Sequence, residues 1–319
     1  EEILASFKKE VPMRVFSWKG EIDTIMTPMD SIRYYKYFLR ASMMSMEPQT
    51  GHVKAWVGGF NYKHFQYDQV KQGRRQIGST FKPFLYATAI DQLKLSPCDS
   101  LPDALFCIEP MKHGNMDAWC PKNSGDKYGR TRTLKNALAN SVNTISARIM
   151  DLVGPKPVIN LARKMGVTSY LPPVPSIALG TPDISLFEMV GAYSTFANQG
   201  IYVKPIMITR IEDKNGRALY EVLPETQDVL SQEAAYVTVN LMQGVTTAGS
   251  GARLRHAGLE ETNYIYKNVI TGYPYIFENP IAGKTGTTQN QSDGWFMGMV
   301  PNLATGVWVG GEDRSIHFK

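Results

Sequence analysis

From Met29 the apolar positions of MDSIRYYKYFLRASMMSME fall at helical spacing, at Ile32, Tyr35, Phe38 and Leu39, and then pass into a strand-like run. The next stretch, ASMMSMEPQTGHVKAWVGG, sets two apolar runs on either side of Pro-Gln-Thr-Gly, which predicts a hairpin. Near the far end WFMGMVPNLATGVWVGG repeats the arrangement, with a turn at PNLATG. KAWVGG and GVWVGG resemble each other as two central strands of similar burial do. Between these hairpins the periodicity is helical. TLKNALA and ISARIMDLV read as helices, and SLFEMVGAYSTFANQG puts Phe187, Val190 and Ser194 on one face before stopping at Gly200. SQEAAYVTVNLMQGVT starts with Ser231 as N-cap and Glu233 in the first turn. GSTFKPFLYATAI begins a helix near Ser79, with Phe81, Phe84, Leu85 and Thr88 as its core-facing stripe. Residues 1 to 28 are mixed and polar, a linker or small packing extension, and residues 96 to 130 read as a long surface excursion rich in Pro, Gly and Lys. Strands at both ends with helices between them predict an α+β fold, an antiparallel sheet covered by helices.

Composition narrows the classes. With 319 residues, 43% of them apolar and 20% charged, the chain can build a sizeable globular core. The net charge of +5 is dispersed, and no dense Lys/Arg run supports nucleic-acid binding. Cys98, Cys107 and Cys120 allow one disulfide in an oxidising compartment and leave one thiol over. Their spacing does not suit zinc, His113 is the only imidazole near them, and no metal is expected. There is no apolar run of 18 residues and no signal peptide, and the chain opens on EEILASFKKE; it reads as a fragment whose targeting segment lies elsewhere.

The chemistry starts at Ser79 and Lys82. Three residues apart on a helix, they share a face. Burial among aromatics disfavours the charged form of Lys82, and a neutral amine beside a hydroxyl can take its proton and make a nucleophile. S-x-x-K is short, and an ordinary N-cap followed by a surface lysine would give the same letters, so partners are needed. The first is ALANSVNTIS. Ser141 and Asn143 face one cleft only if the helix breaks there, and the weak helix formers Asn140 to Thr144 predict such a break; two caps at a helix joint would look the same. The second is IAGKTGTTQNQSDGWFMG. Strand alternation sends Lys284 to one face and Thr285 and Thr287 to the other, and Gly286 lets another backbone or a ligand approach closely. A lysine with two hydroxyls on a strand edge suits a carboxylate.

S-x-x-K, S-x-N and K-T-G in this order, 62 and then 143 residues apart, are the element set of penicillin-binding proteins and class A β-lactamases. With GSTFKPF, WCPKNSGDKYGRTRTLKNALANSVN, LFEMVGAYSTFANQG and GKTGTTQNQSDGWFMG, residues 30 to 313 closely resemble the transpeptidase domain of bifunctional (class A) penicillin-binding proteins. The resemblance implies a penicillin-binding, serine β-lactamase-like fold: a central five-stranded antiparallel sheet covered by helices on both faces, with an all-helical subdomain. It implies a linker over 1–30 and a transpeptidase domain over 31–319, the helical and loop-rich subdomain falling at about 83–230. It implies Ser79 as the acylated nucleophile, Lys82 as general base, Ser141 as proton relay with Lys284 holding its polarity, and Asn143 on the substrate amide. Thr285, Gly286 and Thr287 would receive the terminal carboxylate, and the backbone N–H groups of Ser79 and Thr287 would form the oxyanion hole. The expected partners are peptidoglycan stem peptides ending in D-Ala-D-Ala, and β-lactams that mimic them. No cofactor, metal or nucleic acid is expected. The site is expected outside the cytoplasm, with the glycosyltransferase domain and membrane anchor in segments beyond this one.

Two rivals remain from the same residues: a D,D-carboxypeptidase or β-lactamase-like hydrolase, and a covalent β-lactam sensor or scaffold. Class A β-lactamases need a glutamate that activates the deacylating water. The best-placed one here, Glu188, begins EMVGAY and fits a helix instead. The chain also departs from the usual pattern at Ile77 before the nucleophile and in the cysteine-bearing excursion, and the C-terminal helix that normally packs on the sheet is expected either beyond Lys319 or not at all.

Overall fold

The structure, a computed structural model, describes residues 2–255 and 277–318; the expected domain limits at residues 1 and 319 lie outside them. Its centre is one antiparallel sheet built from β1 (Arg40–Met46), β2 (Val53–Val57), β3 (Ala282–Thr287), β4 (Asp293–Val300) and β5 (Leu303–Gly310), in the order β3-β4-β5-β1-β2. The two predicted hairpins are therefore β1–β2 and β4–β5, and β5 joins them by pairing with β1. The β4–β5 turn is shorter than PNLATG suggests. Val300 pairs with Leu303, so only Pro301 and Asn302 turn, and Leu303 to Gly306 belong to the strand. Leu303, Thr305 and Val307 alternate with buried Ala304, Gly306 and Trp308, a two-sided pattern that overrides the loop-like look of the letters.

Five helices matter for the site: α1 (Lys82–Leu93), α2 (Leu134–Ala139), α3 (Asn143–Val153), α4 (Leu186–Ala197) and α5 (Gln232–Ala248). The helices α4 and α5 pack on the sheet, against β5, β1 and β4 and against β3 respectively, and α1 lies against α3 and α5. The stripe expected on α1 is absent, because every residue from Lys82 to Ile90 is buried. A helix that is apolar all round runs through a core rather than along a surface. Phe81 and Phe84 stack at 4.9 Å and Tyr193 meets Phe84 edge-on, so α1 and α4 share one aromatic layer.

Residues 11–39 form a small packed unit, while residues 2–10 are largely exposed. A hairpin of Val11–Val15 and Ile22–Met26 is followed by the helix Pro28–Lys36, capped by Thr27. Phe16 meets Phe38 and Phe65 edge-to-face, and the Arg40 guanidinium stacks 3.9 Å over Phe65.

The N-cap predicted at Ser231 is present, and a second cap, at Ser185, was not anticipated from the sequence. Ser231 accepts from Ala234 N, and α4 begins with a full capping box of Ser185 and Glu188. Glu188 goes further. Its carboxylate, 7% exposed, accepts from the backbone and hydroxyl of Thr168, Ser169 and Ser185 at 2.7–3.0 Å. Burial alone would raise its pKa; the bonds from Ser185, Ser169 and Thr168 outweigh it and bring the group down to about 2. A folded-state value below the unfolded one gives stability that is present above about pH 4.5 and lost as the pH falls towards 2. Glu188→Gln is expected to lower stability at pH 7 by roughly 2–3 kcal/mol and to flatten this acid limb. Urea unfolding of the two proteins between pH 2.5 and 7 checks it; equal slopes would contradict the assignment.

Candidate active site

Ser79 sits in a single 3-10 turn, Gly78–Phe81, that leads directly into α1. Other elements hold this turn from three sides. Tyr193 Oη of α4 donates to Thr80 O at 2.6 Å, Trp295 Nε1 of β4 donates to Gln76 O at 2.9 Å, and Gly78 N donates to Gly180 O at 2.9 Å. Gly78 has φ +54, and a Cβ there would come within 2.8 Å of Thr287 O. On β3, a Cβ at Gly286 would lie 2.7 Å from Ile77 O and 2.8 Å from Thr80 Cγ2. The edge strand therefore lies flush against the Ser79 turn, with no room for a side chain between them.

Lys82 is fully buried. Its Nζ is 2.7 Å from Ser141 O, 3.1 Å from Ser141 Oγ and 2.7 Å from Asn143 Oδ1. Burial, and then the charge of Lys284, push its pKa well below the usual lysine value. The three oxygens work against that shift, and the cost of burying the charge dominates. The amine donates to all three, two carbonyl-type oxygens and one hydroxyl. The S-x-N segment reaches Lys82 because the chain breaks between α2 and α3. Asn140 has φ −91, Ser141 takes the left-handed φ of +56, and Val142 is extended. Asn143 is the first residue of α3 and not its cap, as one expectation had it; the cap position is Val142, which has no side-chain oxygen.

The sequence pattern puts Ser79 and Lys82 on one face; in the structure Ser79 lies in the 3-10 turn and Lys82 opens the helix that follows it. Among the described residues, however, Ser79 Oγ makes no hydrogen bond with Lys82. The amine turns to the stronger acceptors beneath, and Ser79 is left open to the cleft; such contacts commonly tighten only when substrate is bound. Lys284 is likewise fully buried, and burial brings it down to about 7. Its Nζ donates to Thr285 O at 3.0 Å and not to Ser141, contrary to the polarising role expected of it. Two buried amines repel when charged, so each takes its own oxygens. Thr285 Oγ1 shares a 2.5 Å hydrogen bond with Ser250, which follows α5, while Thr287 is exposed at the cleft.

That cleft, of about 580 Å³, has Ser79, Asn143 and Thr287 on its surface. Lys82 and Lys284 lie beneath it. The opposite wall is Trp119 to Ser124, part of the stretch expected to be a surface excursion. Composition there suggested solvent, but Asp103 and Ile108 within it are buried, and Cys107 and Cys120 are joined. Cys98 is the free thiol. Asn123 was not singled out from the sequence. Its Oδ1 accepts from Asn143 N and Thr144 N, and no spacing rule connects a loop asparagine to a helix 20 residues on.

Two family models match this chain: the penicillin binding protein transpeptidase domain over residues 41–311 and the penicillin-binding protein middle domain over residues 1–39. Penicillin-binding protein 1A of Aquifex aeolicus is 33% identical over 304 residues, covering 92% of this chain and 38% of the relative. That of Neisseria meningitidis is 32% identical over 278 residues, covering 85% and 32%. The chain thus spans about a third of the length of these relatives. Among solved structures, penicillin-binding protein 1A from Haemophilus influenzae superposes with a TM-score of 0.74 at 24% identity, over 87% of this chain and 44% of that one. The PonA1 protein from Mycobacterium tuberculosis, solved in complex with penicillin V, gives 0.69 at 22% identity, over 98% and 79%. These two share the fold.

The depressed Lys284 value has a thermodynamic signature. Between about pH 7 and 10.5 the unfolded chain holds a proton that the folded chain lacks, so stability rises with pH across this window. Below it both states are charged and the burial cost is fully present. Lys284→Met should therefore be most stabilised relative to the parent below pH 7, with the difference shrinking towards pH 10. Melting temperatures of both proteins from pH 6 to 10 test this, and a pH-independent difference would refute it.

Proposed function

Because the chain belongs to the penicillin-binding protein transpeptidase family, we propose that its cleft is the site of a serine D,D-transpeptidase that cross-links peptidoglycan stem peptides. The observation that carries this reading is a serine at the floor of a cleft, one turn from a wholly buried lysine whose amine is ringed by Ser141 and Asn143.

Ser79 Oγ attacks the carbonyl between two terminal D-alanines. Its proton passes to the Lys82 amine, which desolvation keeps basic in its neutral form. The Ser79 and Thr287 backbone N–H groups receive the oxyanion. The C–N bond then breaks, and the departing D-alanine takes a proton through Ser141, leaving an ester on Ser79. An amine from a second stem peptide attacks that ester, forms the cross-link and returns the proton to the serine. Asn143 serves the substrate amide, Thr285 and Thr287 its carboxylate, and Gly286 the close fit of β3 to the turn. Lys284 sits below as a second buried amine whose charge tunes Lys82. The peptide lies along β3, the edge strand of the sheet.

Glu188 supports transfer over hydrolysis. Its oxygens are occupied by Thr168, Ser169 and Ser185 and do not serve as a base for water. The acyl-enzyme then lasts until an amine arrives. A β-lactam opened by Ser79 should be retained for the same reason. This activity belongs outside the cytoplasmic membrane, next to a glycosyltransferase domain and an anchor carried elsewhere in the full-length protein. Among the described residues no helix is long and apolar enough to cross a membrane.

Labelling with a fluorescent penicillin is the direct test. A stable adduct is expected, lost in Ser79→Ala and slowed by about 10²–10⁴-fold in Lys82→Met. Label that persists in Ser79→Ala would overturn the assignment of the nucleophile. With a D-Ala-D-Ala thioester or peptide and a D-amino-acid acceptor, exchange product should exceed hydrolysis product; the reverse would favour a carboxypeptidase.

A further inference from the structure

We infer that Asn123, on the disulfide-bearing excursion, is a positioning residue for acylation: its carboxamide fixes the start of α3 and so holds Asn143 against Lys82. This rests on the reading of Ser79 as the acylated serine. The carboxamide uses all its capacity. Oδ1 accepts from Asn143 N at 2.9 Å and Thr144 N at 3.1 Å, and Nδ2 donates to Asp103 Oδ1 at 2.7 Å and Lys127 O at 2.9 Å. The first pair of bonds is the work of an N-cap, which Val142 cannot do for lack of a side-chain oxygen. Asn123 thus caps α3 from a different part of the chain.

The grip on Asn143 is double. Its Nδ2 donates to Lys122 O at 2.8 Å, so the excursion holds its side chain as well as its backbone, and the remaining oxygen points at Lys82. Behind Asn123 stands Asp103, with no exposed surface. It accepts from Arg132 Nε at 2.6 Å, Thr144 Oγ1 at 2.8 Å and Gly129 N at 3.0 Å. Burial opposes its charge, but the bonds from Arg132, Thr144 and Asn123 hold its pKa below the usual carboxylate value. A permanent carboxylate there orients Asn123 in one sense only: Nδ2 towards the anion, Oδ1 towards the amides. The Cys107–Cys120 bridge closes the excursion three residues before Asn123.

Without the carboxamide, α3 loses its cap and Asn143 is held by Lys122 O alone, which weakens one of the three acceptors that favour the charged form of Lys82. The Lys82 pKa should then fall further. The charged and titratable groups facing this network are Lys284 across from Lys82, and Asp103 and Arg132 against Asn123.

The experiment uses Asn123→Ala in the full-length protein, with Asn123→Ser, a smaller truncation, carried through in parallel in case the alanine variant folds poorly. Acylation by fluorescent penicillin is measured against pH and normalised to the fraction of molecules labelled at completion, and the Lys82 side chain is titrated by NMR. The expected result is a roughly 10–100-fold lower acylation constant with the acid-limb pKa and the Lys82 titration both displaced downwards. Unmoved titrations in both variants, with a rate loss matching the loss of folded protein, would reduce Asn123 to a structural residue and overturn the inference. If the parent takes no label on Ser79, the functional reading fails, and the Lys82 titration still decides the role of Asn123.

Discussion

The site depends on an amine taken wholly out of water. Lys82 is the first residue of a helix that is buried on every side, and no solvent reaches its Nζ. Such a group is tolerable only if oxygen atoms surround it or its charge is given up. Here three oxygens converge on the amine, and desolvation together with Lys284 lowers its pKa. Much of the local architecture can be read as the means of bringing those oxygens in. The chain interrupts the path from α2 to α3, places Ser141 in a left-handed conformation that non-glycine residues seldom adopt, and presents a carbonyl, a hydroxyl and a carboxamide within four residues.

Rigidity elsewhere follows from the same need. The turn that carries Ser79 is tied to α4 by Tyr193, to β4 by Trp295 and to the loop at Gly180, while β3 presses against it where Gly286 lacks a side chain. These contacts come from elements more than 100 residues apart along the chain. They make a surface on which Ser79 is partly exposed and Lys82 is not, although the two are one helical turn from each other. That asymmetry lets a hydroxyl meet a ligand while its prospective base stays dry. Glu188 illustrates the opposite use of a buried ionisable group. Its six donors hold the charge in place and remove the carboxylate from chemistry, so it braces the start of α4.

The three short motifs were legible because they are local. S-x-x-K and K-T-G derive their geometry from the helix and strand periods, and the weak helix formers from Asn140 to Thr144 announced the break. The hairpins and most helix starts were legible for the same reason, down to the Ser231 cap. The misreadings share a cause. The turn after Val300 looked long because Gly, Thr and Asn carry turn character, yet pairing across β4 and β5 keeps Leu303 to Gly306 in the strand. The stretch 96–130 is the surface excursion its Pro, Gly and Lys content suggested, but nothing in those letters showed that part of it walls the cleft.

By itself the sequence determined which residues could do the chemistry and which local conformation each would take, because periodicity and propensity act over one or two turns of chain. Only the tertiary structure decided how those residues are paired. It aimed Lys82 at Ser141 and Asn143 and not at Ser79, turned Lys284 to the Thr285 carbonyl, and gave the capping of α3 to Asn123. Each of these is a choice among competing acceptors for a buried donor, and that choice is settled by which atoms packing brings within about 3 Å.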